Sequence, residues 1–290
     1  MSILGLNQYG KAEVHMVTVT RDGPVHTIRD LLVGIALSGD LAEVHLTGDN
    51  ANVVATDTQK NVVYAFAKEA PVGAIEDFAL RLGRHFVSSF APITRARVHI
   101  VEADWDRLAD HSFRRAGAES RVATVVCEQD AEWVVSGISD LVVLNSTDSE
   151  FEGFIRDRYT TLAETRDRLL ATEVAARWRH RSSDGDWDAS FAATRALLLD
   201  TFAGTYSKSL QQTLYAMADA MLAGRPELAE VRMSLPNKHH YVVDLSPFGL
   251  ENDNEVFHAD DRPYGLIEAA VLAADAPPAG PAWDPYPLLP

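Results

Sequence analysis

The sequence predicts an antiparallel α+β protein with helices on one face of its sheets. Two kinds of amphipathic pattern alternate along the chain, and they alternate in the same order in each half. Thr94-Arg95-Ala96-Arg97-Val98-His99-Ile100 places charged and apolar side chains on opposite faces at period two, the signature of a strand covered on one side. Ile75, Phe78, Leu82, Phe86 and Phe90 instead recur at helical spacing in a stretch without proline. Strands followed by helices and then strands again indicate segregated layers rather than alternating βαβ units.

The elements follow in order. Glu13 to Val19 reads as a strand. An apolar run, Val53-Val54-Ala55, leads into Thr56, and Thr56-x-x-Gln59 matches a capping box ahead of Val62, Val63 and Phe66. Thr56 is therefore expected as a helix N-cap, with the Asp57 amide in the first turn, where free N–H groups and the helix dipole favour an anion. The helix from Ile75 and the strand from Thr94 complete the first half, and the apolar run Val122 to Cys127 makes Cys127 a small buried hydrophobe. The halves meet between Glu132 and Ser139, giving expected domains at 1–135 and 136–290. In the second half, Thr172 to Arg179 reads as a strand with Val174, Ala176 and Trp178 on one face. Leu210, Leu214, Met217 and Met221 form a helical stripe ended by Gly224-Arg225-Pro226. Val231 to Leu245 reads as a long strand or strand pair interrupted at Pro236-Asn237-Lys238. The proline-rich tail from Pro277 is expected to be extended and to pack on a neighbour through Trp283 and Tyr286.

Charge and cysteine content narrow the function. With 42 acidic against 26 basic residues, the formal charge is −16, which disfavours nucleic acid and anionic membrane surfaces as partners. A small anionic substrate would need a locally positive pocket. One cysteine excludes intrachain disulfides and argues against thiolate-rich zinc sites. The start of the chain lacks the pattern of a signal peptide, and no apolar stretch approaches the roughly 18 residues of a membrane span, so a cytoplasmic location is expected. Phosphate-loop, dinucleotide-binding and nucleophile-elbow patterns are all missing from the sequence. The adjacent His239 and His240 should point to opposite faces of a strand, a poor arrangement for holding one metal. No metal or other cofactor is expected.

Three polar segments stand out: Tyr9-Gly10-Lys11 at the opening of the first strand, Thr56-Asp57-Thr58-Gln59, and Pro236-Asn237-Lys238-His239-His240. Individually they read as an edge lysine, a helix cap and a turn or bulge. Taken with Val54-Ala55-Thr56-Asp57, the block from Asn145-Ser146-Thr147 to Thr160-Thr161-Leu162, Asp167-Arg168, Ser209-Leu210-Gln211 and Leu235 to His239, however, the chain resembles the urate oxidase family, with the motifs in family order over nearly its whole length.

The resemblance implies two tandem tunnelling-fold (T-fold) domains per chain. Four chains would assemble into a barrel-like tunnel, a homotetramer with active sites at subunit interfaces. It also implies oxidation of urate by O2 and water to 5-hydroxyisourate and H2O2 without a cofactor. By the same resemblance Arg168 and Gln211 would clamp urate in its plane, Phe151 would stack on the ring, and the backbone amides of Asp57 and Leu210 would complete the grip. Lys11, Thr56 and His239 resemble the proton-relay set, and Asn237 would hold oxygen or water above the ring. The residue types suit these roles. A guanidinium fork matches carbonyl oxygens and an anionic ring nitrogen, and a glutamine amide complements an adjacent O and N–H. Triplet oxygen reacts slowly with closed-shell organics, so without flavin or metal the substrate itself must become electron-rich by losing a further proton. An amine withdrawn from water accepts that proton more readily, and a hydroxyl and an imidazole can pass it on. Leu210 departs from an expected valine, His240 from an expected aromatic, and the chain does not end in a peroxisomal Ser-Lys-Leu. The competing reading is a non-catalytic purine- or pterin-binding protein of the same fold, which would need Phe151, Arg168 and Gln211 but not Lys11, Thr56 or His239.

Overall fold

The structure, a computed structural model, describes residues 2–285; Tyr286 and the closing residues after it lie outside the described residues. The chain forms two compact units. One comprises residues 2–137, 178–191 and 275–285, and the other residues 138–177 and 192–274. Among the described residues no helix is long and apolar enough to cross a membrane.

In the first unit, β1 (Tyr9–Thr20), β2 (Thr27–Gly39), β3 (Ile93–Ala109) and β4 (Ser112–Glu128) pair antiparallel in chain order. Between β2 and β3 the chain forms α1 (Ala42–Leu46), α2 (Thr56–Glu69) and α3 (Ile75–Ser89). The stripe read from the sequence is the buried face of α3 as far as Phe86: Ile75, Phe78, Leu82 and Phe86 are all fully inaccessible, packed on β3 and β4, whereas Phe90 is the extended C-cap residue and only partly buried. Each such side chain stabilises the fold by roughly 1.5–3 kcal/mol relative to exposure. The helix lies so close to β4 that a Cβ at Gly83 would come within 2.6 Å of the Cys127 sulfur. Cys127 is buried as expected, and desolvation pushes its thiol up to about 12, leaving it unreactive.

Strand β1 is bulged. Lys11 pairs with Ile35, but Val14 pairs with Val33, so β1 carries one surplus residue, and Glu13 takes up a positive φ of 55°. The described part of the tail packs on its own unit. Gly280–Trp283 form a single 3-10 turn, Pro281 and Ala282 are buried, and the Pro281 carbonyl accepts a 2.6 Å bond from Arg97.

In the second unit, β5 (Glu132–Asn145, from residue 138), β6 (Leu170–His180, to residue 177), β7 (Leu228–Val242) and β8 (Phe257–Leu272) follow in chain order. The helices are α4 (Trp187–Gly204) and α5 (Leu210–Gly224), and α5 packs on β7 and β8 through Leu210, Leu214, Met217 and Met221. Strand β6 is less amphipathic than its pattern implies. Val174, Ala176 and Trp178 are buried as read, but Arg179 is buried too, its guanidinium bonded to the Pro277 carbonyl. Strand β7 is not interrupted at Pro236. The missing proline N–H is tolerated at an irregularity in the β7–β8 ladder, where Asn237 pairs with Gly265 and His239 with Asp260, leaving the surplus residues on β8. The Pro236 carbonyl is occupied sideways by the hydroxyl of the buried Thr172, 2.9 Å away.

Candidate active site

A cavity of about 640 Å³ opens in the second unit, and Phe151, Arg168, Leu210, Gln211, Asn237 and His239 all contribute to its wall. Three separate stretches of chain bring them there. The loops carrying Phe151 and Arg168 are held by an antiparallel bridge between Phe151 and Thr165 and a parallel one between Ser149 and Ser207. Ser149, itself fully buried, grips Arg168 twice. Its carbonyl accepts the Arg168 amide at 3.0 Å and its hydroxyl accepts Nε at 3.2 Å. That fixes the plane of the guanidinium and leaves the two terminal nitrogens facing outward from the contact. The guanidinium carbon stands 5.3 Å from the centre of the Phe151 ring, and burial pulls the arginine below its usual pKa. Phe151 also stacks on Phe154, with ring centres 5.0 Å apart.

The start of α5 supplies the next pair. Ser209 is the N-cap, its hydroxyl accepting the Gln212 amide at 3.2 Å, while the Gln212 side chain accepts the Lys208 amide at 2.9 Å. This reciprocal cap ties Gln212 to the backbone; its neighbour Gln211 is exposed at the cavity. The Leu210 side chain is buried, so only its backbone can meet a ligand. From β7 come Asn237 and His239, with Lys238 between them paired to Glu173 at 3.0 Å. His239 lies near-parallel to Tyr241 at 5.8 Å. His240 contributes to the wall as well, and its Nδ1 donates to the Lys238 carbonyl at 3.0 Å, which fixes the proton on that nitrogen when the ring is neutral.

Lys11, Thr56 and Asp57 belong to the first unit and do not line this cavity. They form a group of their own. Thr56 corrects an expectation: it is the first residue of α2, the N-cap is Ala55, and no side chain caps the helix. Its hydroxyl is therefore not consumed by the cap. The first helical bond runs from the Gln59 amide to the Ala55 carbonyl, so the Asp57 amide precedes it and points out of the first turn, as anticipated. The Asp57 carboxylate is exposed and bonded by Lys60 and Asn61; the Lys60 bond holds its pKa below the usual range, with a smaller contribution from the charge of Lys11. Lys11 is thus near enough to act electrostatically on the turn that carries Thr56. The glutamine of the supposed capping box reaches back to the Val54 carbonyl at 3.1 Å. Among the described residues no three His, Cys, Asp or Glu side chains are grouped so as to hold a metal.

Sequence reasoning missed the supports: Tyr9, Gln59, Ser149, Thr172 and Gln212. Tyr9 and Gln59 lay in segments the sequence singled out, but not as supports; Gln212 had a local signal that went unread, since Ser209-x-x-Gln212 ahead of an apolar helix has the capping-box pattern.

The family model for uricase matches residues 7–126 and 134–268. The chain belongs to the uricase family. A uricase from Arthrobacter globiformis is 52% identical over 97% of this chain and 93% of its own length, and the rabbit (Oryctolagus cuniculus) uricase is 37% identical over 91% and 92%. The crystal structure of the Arthrobacter globiformis uricase superposes with a TM-score of 0.95 at 51% identity, covering 98% of this chain and 99% of that one. A Bacillus fastidious uricase superposes at 0.80 with 25% identity, covering 92% and 94%. This uricase is accordingly an enzyme, a urate oxidase, and its α+β fold is that of the solved members.

Proposed function

We propose that this uricase oxidises urate with O2 and water to 5-hydroxyisourate and H2O2 without a cofactor, and does so in the cytoplasm as a homotetramer. The observation that supports the site is the meeting of six motif residues, distant in sequence, on one cavity wall. Arg168 and Gln211 grip the purine edge-on, the Leu210 amide adds a donor, and Phe151 offers a ring face. Asn237 holds oxygen or water over the substrate, beside His239. Lys11 and Thr56 take the proton whose loss makes the urate anion electron-rich. The anion then gives two electrons to O2, and water adds at the carbon left deficient. Counting atoms, urate, O2 and H2O yield 5-hydroxyisourate and H2O2.

In this reading Lys11, Thr56 and the Asp57 amide meet the cavity of a second subunit, the chain dividing into tandem domains 1–135 and 136–290. Such an arrangement has a distinctive test. At urate concentrations that do not saturate the weakened site, Lys11→Ala and Arg168→Ala subunits are each expected to have little activity alone. Mixed during refolding, they should regain activity, because about a quarter of randomly assembled interface sites combine two native halves. Urate absorbance and peroxide are followed together in chelated buffer. Mixtures as inactive as the separate variants would overturn the shared site, and activity restored by added metal would overturn the cofactor-free chemistry.

A further inference from the structure

We infer that Tyr9 and Gln59 are positioning residues for the reaction, clamping the Val54 peptide and thereby fixing Thr56 two residues later; this rests on the relay reading of Thr56 proposed above. The Tyr9 hydroxyl accepts the Val54 N–H at 2.8 Å and lies 3.1 Å from the Val54 carbonyl, to which it donates. Gln59 donates to the same carbonyl at 3.1 Å from the first turn of the helix that Thr56 opens. The Val54 side chain is buried in the core, so this one residue is fixed at its side chain, its N–H and its C=O.

Three features set this clamp apart from ordinary packing. Gln59 is fully buried, yet its side-chain oxygen has no hydrogen-bond partner, so the amide is kept for its single bond to Val54. Tyr9 is packed against the core, and burial raises its pKa, keeping the hydroxyl available as a donor. Third, α2, like α1 and α3, has no side-chain cap at its start, so the Thr56 hydroxyl is not engaged in capping while the clamp holds the peptide that enters the helix. Tyr9 stands two residues before Lys11 on β1, so one hydroxyl ties the strand carrying the amine to the turn carrying the threonine.

The test is a mutant cycle on kcat with urate as substrate. Tyr9→Phe and Gln59→Met each remove a clamp bond with little change of shape, and each is expected to lower kcat by about tenfold or more, with KM changing less, since small displacements of a reacting group are costly. In a Thr56→Ala background, Tyr9→Phe should cost nothing further, because the hydroxyl it positions is gone. A merely structural role would lower the rate by the same factor in both backgrounds, and that result overturns the inference. So does native kcat in both single variants while Thr56→Ala is impaired, which leaves the relay reading intact. Native kcat in Thr56→Ala removes the relay reading and this inference together. Gln59→Met acts from the helix side and does not touch β1, so it keeps the test decisive if Tyr9→Phe disturbs Lys11 or folding.

Discussion

Arg168→Ala is expected to weaken urate binding by about 10²- to 10³-fold. The size follows from how the guanidinium is held. Its Nε is occupied by the Ser149 hydroxyl at 3.2 Å, so on the proposed reading the two terminal nitrogens form the fork that meets the ligand. A hydrogen bond to a charged group contributes about 1.5–3 kcal/mol, so two of them lie in the range of about 3–4 kcal/mol once partial exposure is allowed for. At about 1.4 kcal/mol per decade that gives the stated loss. Arg168→Lys keeps the charge but loses both the fork and the Ser149 contact, and should fall between, about tenfold weaker than native. KM equals the dissociation constant only if chemistry is slow, so the clean measurement is calorimetric titration of urate without oxygen, where no turnover occurs. Anaerobic binding by Arg168→Ala within about twofold of native would refute the clamp. Equal loss in the lysine and alanine variants would show that charge plays no part and geometry alone decides.

Two further outcomes test the scaffold. Glu76 is fully buried, with Arg121 and the Ser136 hydroxyl on its carboxylate at 2.7 and 2.6 Å, yet desolvation outweighs these partners and raises its pKa. The folded state therefore holds the proton more tightly than the unfolded chain, and stability declines as pH rises from the ordinary value of 4.5 through the raised one. Glu76→Gln should abolish that decline, so the difference in thermal midpoint between variant and native should shift in the variant's favour over this window; parallel profiles would refute it. Ser209→Ala should cost about 1 kcal/mol in stability and raise the urate KM a few-fold, because the same cap orients Leu210 and Gln211; an unchanged KM would separate the cap from the site.

The parts of the fold legible in the sequence were those fixed by local periodicity. The α3 and α5 stripes are the buried faces because a 3.6-residue repeat of large apolar side chains has no other stable orientation against a sheet. The expected exposure of β6 failed at Arg179 for a non-local reason. Alternation shows which side chains share a face but not whether a distant segment covers the polar one, and the Pro277 carbonyl does so here. At Pro236 the expected interruption falls in the ladder and not in the strand: β7 runs on, while its register with β8 shifts between Asn237 and His239, a pairing detail that depends on the neighbouring strand.

The two glutamine boxes show where reading a site from sequence stops. Thr56-x-x-Gln59 and Ser209-x-x-Gln212 have equal claims to be capping boxes, and only at the second does the side chain cap the helix. At α2 a tyrosine hydroxyl 45 residues before Val54 holds the entering peptide, and the helix starts one residue earlier than the pattern indicates. At α5 the entering peptide is held as well, but by backbone: Ser207 donates to the Asp148 carbonyl and accepts from the Glu150 amide, both at 2.8 Å, and the serine side chain still meets a free amide. On the proposed reading, the hydroxyl used in proton transfer, Thr56, opens a helix that no side chain caps, whereas at α5 the proposed ligand contact is Gln211, the residue after the N-cap, and the Ser209 cap can remain.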